Sequence, residues 1–171
     1  MNLSRFLKHA FSTRFLVKKY FSKEAMEKIT DAIAASEKNH DAEIVFAIEP
    51  GISPIAALRG YSARSRAIDV FSELRVWDTE ANNGVMIYLL LADHDIEIIA
   101  DRGVNRIAGD TYWEEICQNM EKSFREGKFV EGVLEGIQTI TKLLEKHYPK
   151  SEGNPNELPN KPVIIRKSSK R

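Results

Sequence analysis

The sequence has a single cysteine, Cys117, so neither an intramolecular disulfide nor a cysteine-rich zinc site can form. Neither sign of charge dominates. The 25 lysines and arginines balance 25 aspartates and glutamates, and no basic excess points to nucleic acid as a partner. No apolar run approaches the length of a membrane span. The first residues, "MNLSRFLKHAFSTRFLVKKYF", lack the unbroken apolar centre and small-residue cleavage site of a secretory signal, because Arg5, Lys8, Arg14, Lys18 and Lys19 interrupt them. There is no Walker lysine–serine pair and no dinucleotide fingerprint, so no nucleotide or organic cofactor is expected. His9, His40, His94 and His147 are scattered, with no pair at ligand spacing. What these absences leave is one domain-sized chain, expected in the cytoplasm.

What is present divides the chain in three. Residues 1–21 read as a basic amphipathic segment, 22–149 as an α/β domain, and 150–171 as an extended tail with a disordered end. In the first part Leu3, Phe6, Leu7, Ala10 and Phe11 recur at helical spacing. Such a helix either rests on anionic lipid or a partner, or docks its apolar stripe on its own domain with its charges in water. The expectation is docking.

Ser22 is a good N-cap for a helix carrying Met26, Ile29, Ile33 and Ala34 on one face, ending near Asn39 and His40. Glu43–Glu49 reads as a buried strand ended by Pro50 and Gly51. Pro54 then opens what reads as one long helix reaching about Leu74. Val85–Ala92 is apolar on both faces, which places it centrally in a sheet covered by helices on both sides. Asp93-His94-Asp95 suits a tight turn, and Ile96–Ala100 is the return strand. Two helices follow, about Asp110–Glu126 and Val130–Tyr148, each with a core stripe. Cys117 lies on such a stripe and reads as a buried small hydrophobe; Trp77 and Trp113 read as packing residues. "PVII" in the tail is expected to dock on the domain.

The chemistry concentrates in "RVWDTEANNG" and "ADRG". Asp78, Glu80, Asn82 and Asn83 precede one strand, and Asp101 ends its antiparallel neighbour. The beginning of one such strand lies beside the end of the other. These oxygens are therefore expected to converge, in a way that suits a hard cation, Ca2+ or Mg2+. Arg102 and Arg75 are charge partners for the acids, or for a phosphate group held beside them. The alternative is that the same residues only turn and cap the chain.

The order of elements, with "FLKHAF", "VWDTE", "NNG", "ADRG" and "NELP", resembles the TPM domain family. That family is named after a thylakoid lumen protein, a photosystem II repair protein and a nematode receptor modulator. The short bacterial members without a signal peptide are the nearest in appearance, and the resemblance runs from about Arg5 to Val163. It implies a three-layer α/β/α sandwich around a small mixed sheet. It also implies divalent-ion binding at an acidic edge of the sheet in some members, acid phosphatase activity in a plant member, and non-enzymatic modules beside membrane assemblies. The matching positions are Asp78, Asn82–Gly84, Asp101 and, as an accessory acid, Asp110. This chain departs from many members in having Val76–Glu80 where they have a glycine-rich segment. It also has Asp101-Arg102-Gly103-Val104 where they have Gly-x-Gly, and it lacks their transmembrane helix. The functional expectation is a cation-responsive binding module working with an unknown, membrane-associated protein partner at the inner membrane face. A metal-assisted phosphatase and a purely structural interaction domain are the alternatives.

Overall fold

The structure is a computed structural model and describes residues 2–153 and 155–166. In chain order its elements are α1 (Leu3–Phe11), α2 (Arg14–Tyr20), α3 (Lys23–Ser36), β1 (Glu43–Glu49), α4 (Pro54–Leu58), α5 (Ala63–Glu73), β2 (Gly84–Leu90), β3 (Asp95–Ala100), α6 (Arg102–Ala108), α7 (Asp110–Arg125), α8 (Phe129–His147) and β4 (Val163–Ile164).

β2 is apolar throughout and entirely buried, as a strand between two layers must be. It pairs antiparallel with β3 and parallel with β1, in the sheet order β3-β2-β1-β4. Alternation along the strands divides the core. Ile44, Phe46, Ile48, Val85, Ile87 and Leu89 face a layer built from α2, α3, α7 and α8. Val45, Ala47, Met86, Tyr88 and Leu90 face α4 and α5. Helices on both faces of a small mixed sheet give the three-layer sandwich.

The single helix expected after Pro54 is two helices. Gly60 adopts φ +81°, and the amide of Tyr61 turns back to the Ala56 carbonyl, which closes α4. Ser62 then caps α5 by accepting from the Ser65 amide. A glycine within an apolar-periodic stretch thus ended the helix. α6 was also not expected; Asp101 caps it, and Gly109 at φ +76° separates it from α7. Gly109 is also the N-cap residue of α7.

The N-terminal segment folds as two helices. α2 sends Val17 and Phe21 into the main core. α1 does dock, but by its polar side. His9 is fully buried; it accepts from the Ile52 amide at Nδ1 and meets Asp93 through Nε2 at 3.1 Å. Arg5 binds the same carboxylate at 2.9 Å. Burial alone would raise the Asp93 pKa, but the bonds from His9 and Arg5 outweigh it and hold the carboxyl at about 2. The apolar row expected to face inward instead leaves Leu3, Leu7 and Phe11 exposed.

The tail returns to the sheet. Val163 and Ile164 pair in parallel with Ala47 and Ile48, and the Ile165 amide donates to the Ile48 carbonyl at 2.8 Å. The disordered end expected from composition falls on residues 167–171, outside the described residues.

Candidate functional site

Pairing of β2 with β3 brings the end of the acidic loop against the start of α6. The Asp101 amide donates to the Gly84 carbonyl at 2.8 Å. Gly103 is needed here, because a Cβ on it would lie 2.6 Å from the Asn82 carbonyl oxygen. Asn82 itself takes a left-handed backbone, φ 50°, which asparagine tolerates.

Two oxygens at this point have no protein partner. Asp101 Oδ1 accepts from the Arg102 amide at 2.6 Å as the cap of α6, while Oδ2 is buried and unpaired. Asn83 is almost fully buried. Its amide donates to Thr79 Oγ1 and its Nδ2 donates to the Asp41 carbonyl, yet Oδ1 is buried and unpaired. Buried acceptors are nearly always satisfied, so two on adjoining chain segments is unusual. Beside Asp101 opens a cavity of about 560 Å3, lined by Trp77, Asn82, Asp101, Arg102, Gly103 and Arg106.

Asn82, Asp101 and Arg102 are therefore brought together around one cavity, with Asn83 next in the chain but turned toward the Asp41 carbonyl, and the rest of the expected cluster is not there. The loop is anchored by buried Val76, Thr79 and Asn83, which leaves Trp77, Asp78 and Glu80 exposed between them. Asp78 pairs with Arg75 at 3.4 Å in solvent. The Glu80 amide donates to the Glu157 carboxylate of the tail at 3.1 Å. Asp110 is exposed and lines a different cleft, with Asp95, Glu97 and Glu121. Among the described residues no three histidine, cysteine, aspartate or glutamate side chains form a group that could hold a metal ion. The expectation that Asp78, Glu80 and Asp101 share one cation is thus corrected by the burial period of the loop. Trp77, read as a packing residue, is 47% exposed at the cavity rim, with the Arg75 guanidinium over its ring. Trp113 is buried and bonded to Asn105. Cys117 is partly buried, and desolvation pushes its thiol up to about 12.

Several polar groups were not legible as a set. Glu43 is buried at the start of β1 and accepts the Glu157 and Leu158 amides of the tail. Glu37 accepts the Ile44 amide and Asn160 Nδ2, and its burial raises its pKa to about 7. On the opposite end of β1, Glu49 Oε2 accepts from Arg66 at 2.8 Å and from the Tyr88 hydroxyl at 2.7 Å, with both ionic partners buried. The one sequence signal was a glutamate at each end of an otherwise apolar strand.

The TPM domain family profile matches residues 17–143. The chain belongs to the TPM domain family. The match spans α2 to α8 and includes Asn82, Asn83 and Asp101. Among solved structures, the BA42 protein of the psychrophilic bacterium Bizionia argentinensis is 30% identical, over 85% of this chain and 95% of that one, with a TM-score of 0.74. The N-terminal domain of a P. gingivalis protein is 19% identical, over 86% and 93%, with a TM-score of 0.62, and shares the fold. No functionally curated protein matches.

Proposed function

We propose that this TPM domain is a binding module that takes a divalent cation at the junction of β2, β3 and α6. The observation that carries this reading is the pair of buried, unpaired oxygens, Asp101 Oδ2 and Asn83 Oδ1. A hard cation such as Ca2+ or Mg2+ takes only oxygen ligands, about six to eight for calcium, and Mg2+ keeps several of its waters. One carboxylate, one amide and little else from the protein fit a weak, largely hydrated site. Asp101 and Asn83 would hold the ion, and Asn82 lies on the same turn. The ion would neutralise Asp101 beside the cavity. The module works with a protein partner at a membrane, on the cytoplasmic side; among the described residues no helix is long and apolar enough to cross one.

A second reading, a phosphatase-type hydrolase, has one observation in its favour. Arg102 and Arg106 line the same cavity as Asp101, and guanidinium groups suit phosphate oxygens. Amide NMR during calcium and magnesium titration tests the first reading. Shifts confined to residues 78–84 and 101–106, and lost in Asp101→Asn, support it. No ion-specific shifts would leave a purely structural interaction domain. Turnover of a generic phosphate ester, abolished in Arg102→Ala, would favour the hydrolase.

A further inference from the structure

The N-terminal helices carry an apolar surface that the fold does not use. Leu3 is 61% exposed, Leu7 46%, Phe11 79% and Phe15 77%. The first three stand at i, i+4 and i+8 on α1, a row about 12 Å long at 1.5 Å per residue, and Phe15 follows on α2. They are not exposed because α1 is loose. Its other side is fixed by His9 and Arg5 on Asp93 and by the Ile52 amide, which donates to His9 Nδ1. The domain therefore holds a row of large apolar side chains outward on a fixed helix.

The charges that α1 and α2 themselves carry have one sign. Every ionisable side chain with a formal charge before Glu24 is basic: Arg5, Lys8, Arg14, Lys18, Lys19 and Lys23. Arg5 is committed to Asp93, but Lys8, Arg14, Lys18 and Lys19 are exposed. Across the whole chain the charges balance, so this concentration is local. Large apolar side chains flanked by lysine and arginine match an anionic bilayer interface, where the apolar groups enter the acyl boundary and the cations meet phosphate headgroups. Either signal alone gives weak, reversible binding; together they give stable docking.

We propose that α1 and α2 form the face by which this domain docks on an anionic lipid surface. Leu3, Leu7, Phe11 and Phe15 insert, and Lys8, Arg14 and Lys18 pair with headgroups. This gives a physical means to the membrane location in the proposed function, but it does not depend on the cation site at the far end of β2. A second copy of the chain is the competing occupant of the apolar row.

The test is co-sedimentation of the full chain with vesicles of phosphatidylcholine, with and without phosphatidylserine, at low and high salt. Preferential binding to the phosphatidylserine vesicles, weakened by salt, is expected. Lys8→Glu with Lys18→Glu should weaken it by roughly fivefold or more per residue. Leu7→Ser with Phe11→Ser should weaken it by about tenfold or more, with only a small change in melting temperature, because Phe11 is largely in solvent and Leu7 about half. No binding by the unmodified chain overturns the proposal. So does binding that survives the Leu7/Phe11 variant, which would place the contact elsewhere. Concentration-dependent dimerisation in sedimentation velocity, lost in that same variant, with no vesicle binding, would assign the face to a second copy. Asp101→Asn should leave vesicle binding unchanged, so the cation reading and the lipid reading can fail separately.

Discussion

Arg66→Met should be among the most damaging single changes in the domain. Arg66 comes from α5 with its side chain 4% exposed and donates through Nε to Glu49, whose side chain is fully buried. Its second partner, Glu73, is 44% exposed, so those bonds at 3.0 and 3.4 Å count for little, about 0–1 kcal/mol. The cost lies at Glu49. Without the guanidinium it keeps only the Tyr88 hydroxyl on Oε2, and Oε1 has no partner even in the intact protein. Removing one member of a buried pair costs about 3–5 kcal/mol, because the other charge stays buried. A domain of this size loses about 2–4 °C per kcal/mol, so the melting temperature should fall by roughly 6–20 °C. Circular dichroism melts and urea titrations measure this. Glu73→Gln should cost less than about 1 kcal/mol. Adding Glu49→Gln to Arg66→Met should recover much of the loss, since the stranded charge is then gone. If Arg66→Met costs less than about 1 kcal/mol, or if the double variant is no better than the single one, the ion pair is not what holds α5 to β1.

Four further outcomes follow from the same structure. Asp101→Asn should abolish the calcium- or magnesium-dependent amide shifts and leave the fold intact, because asparagine still caps α6; an unchanged titration would remove Asp101 from the site. Glu37 is raised from 4.5 to about 7 by burial, so its contribution to stability is full below pH 4.5 and is lost as pH rises through about 7. Melts from pH 5 to pH 8 should show that loss, and Glu37→Gln should flatten it. Gly84→Ala should destabilise more than Gly136→Ala, because the new Cβ meets the Val76 backbone carbonyl at 2.1 Å in one case and the flexible Met120 sulfur at 2.5 Å in the other; urea midpoints rank the two. Ending the chain after residue 153 should lower the melting temperature, since it removes β4 and both amides that satisfy buried Glu43.

Local order determined what the sequence by itself could specify. Val85–Leu91 has no charged residue and must be a covered central strand; the Asp93–Asp95 turn requires a hairpin; and the 3.6-residue stripes of α3, α7 and α8 are set by side chains a few positions apart. The acidic edge was legible in part for the same reason: antiparallel pairing brings Asp101 against Gly84, at the end of the Asn82-Asn83 turn. Tertiary structure decided the rest. Whether Asp78 and Glu80 joined them depended on which loop residues the core accepted, and it took Val76 and Thr79. Whether Gly60 ended a helix depended on tertiary packing, with α4 against α1 and α5 against β3 and β2. The partners of Glu49, Glu43 and Asp93 lie 17, 114 and 88 residues away in sequence, and such pairings cannot be read from spacing. The orientation of α1 was decided in the same way. Its apolar row would have been buried on hydrophobicity alone, but Asp93 on the hairpin turn offered Arg5 and His9 an ionic contact that held the opposite side down and left Leu3, Leu7 and Phe11 facing out.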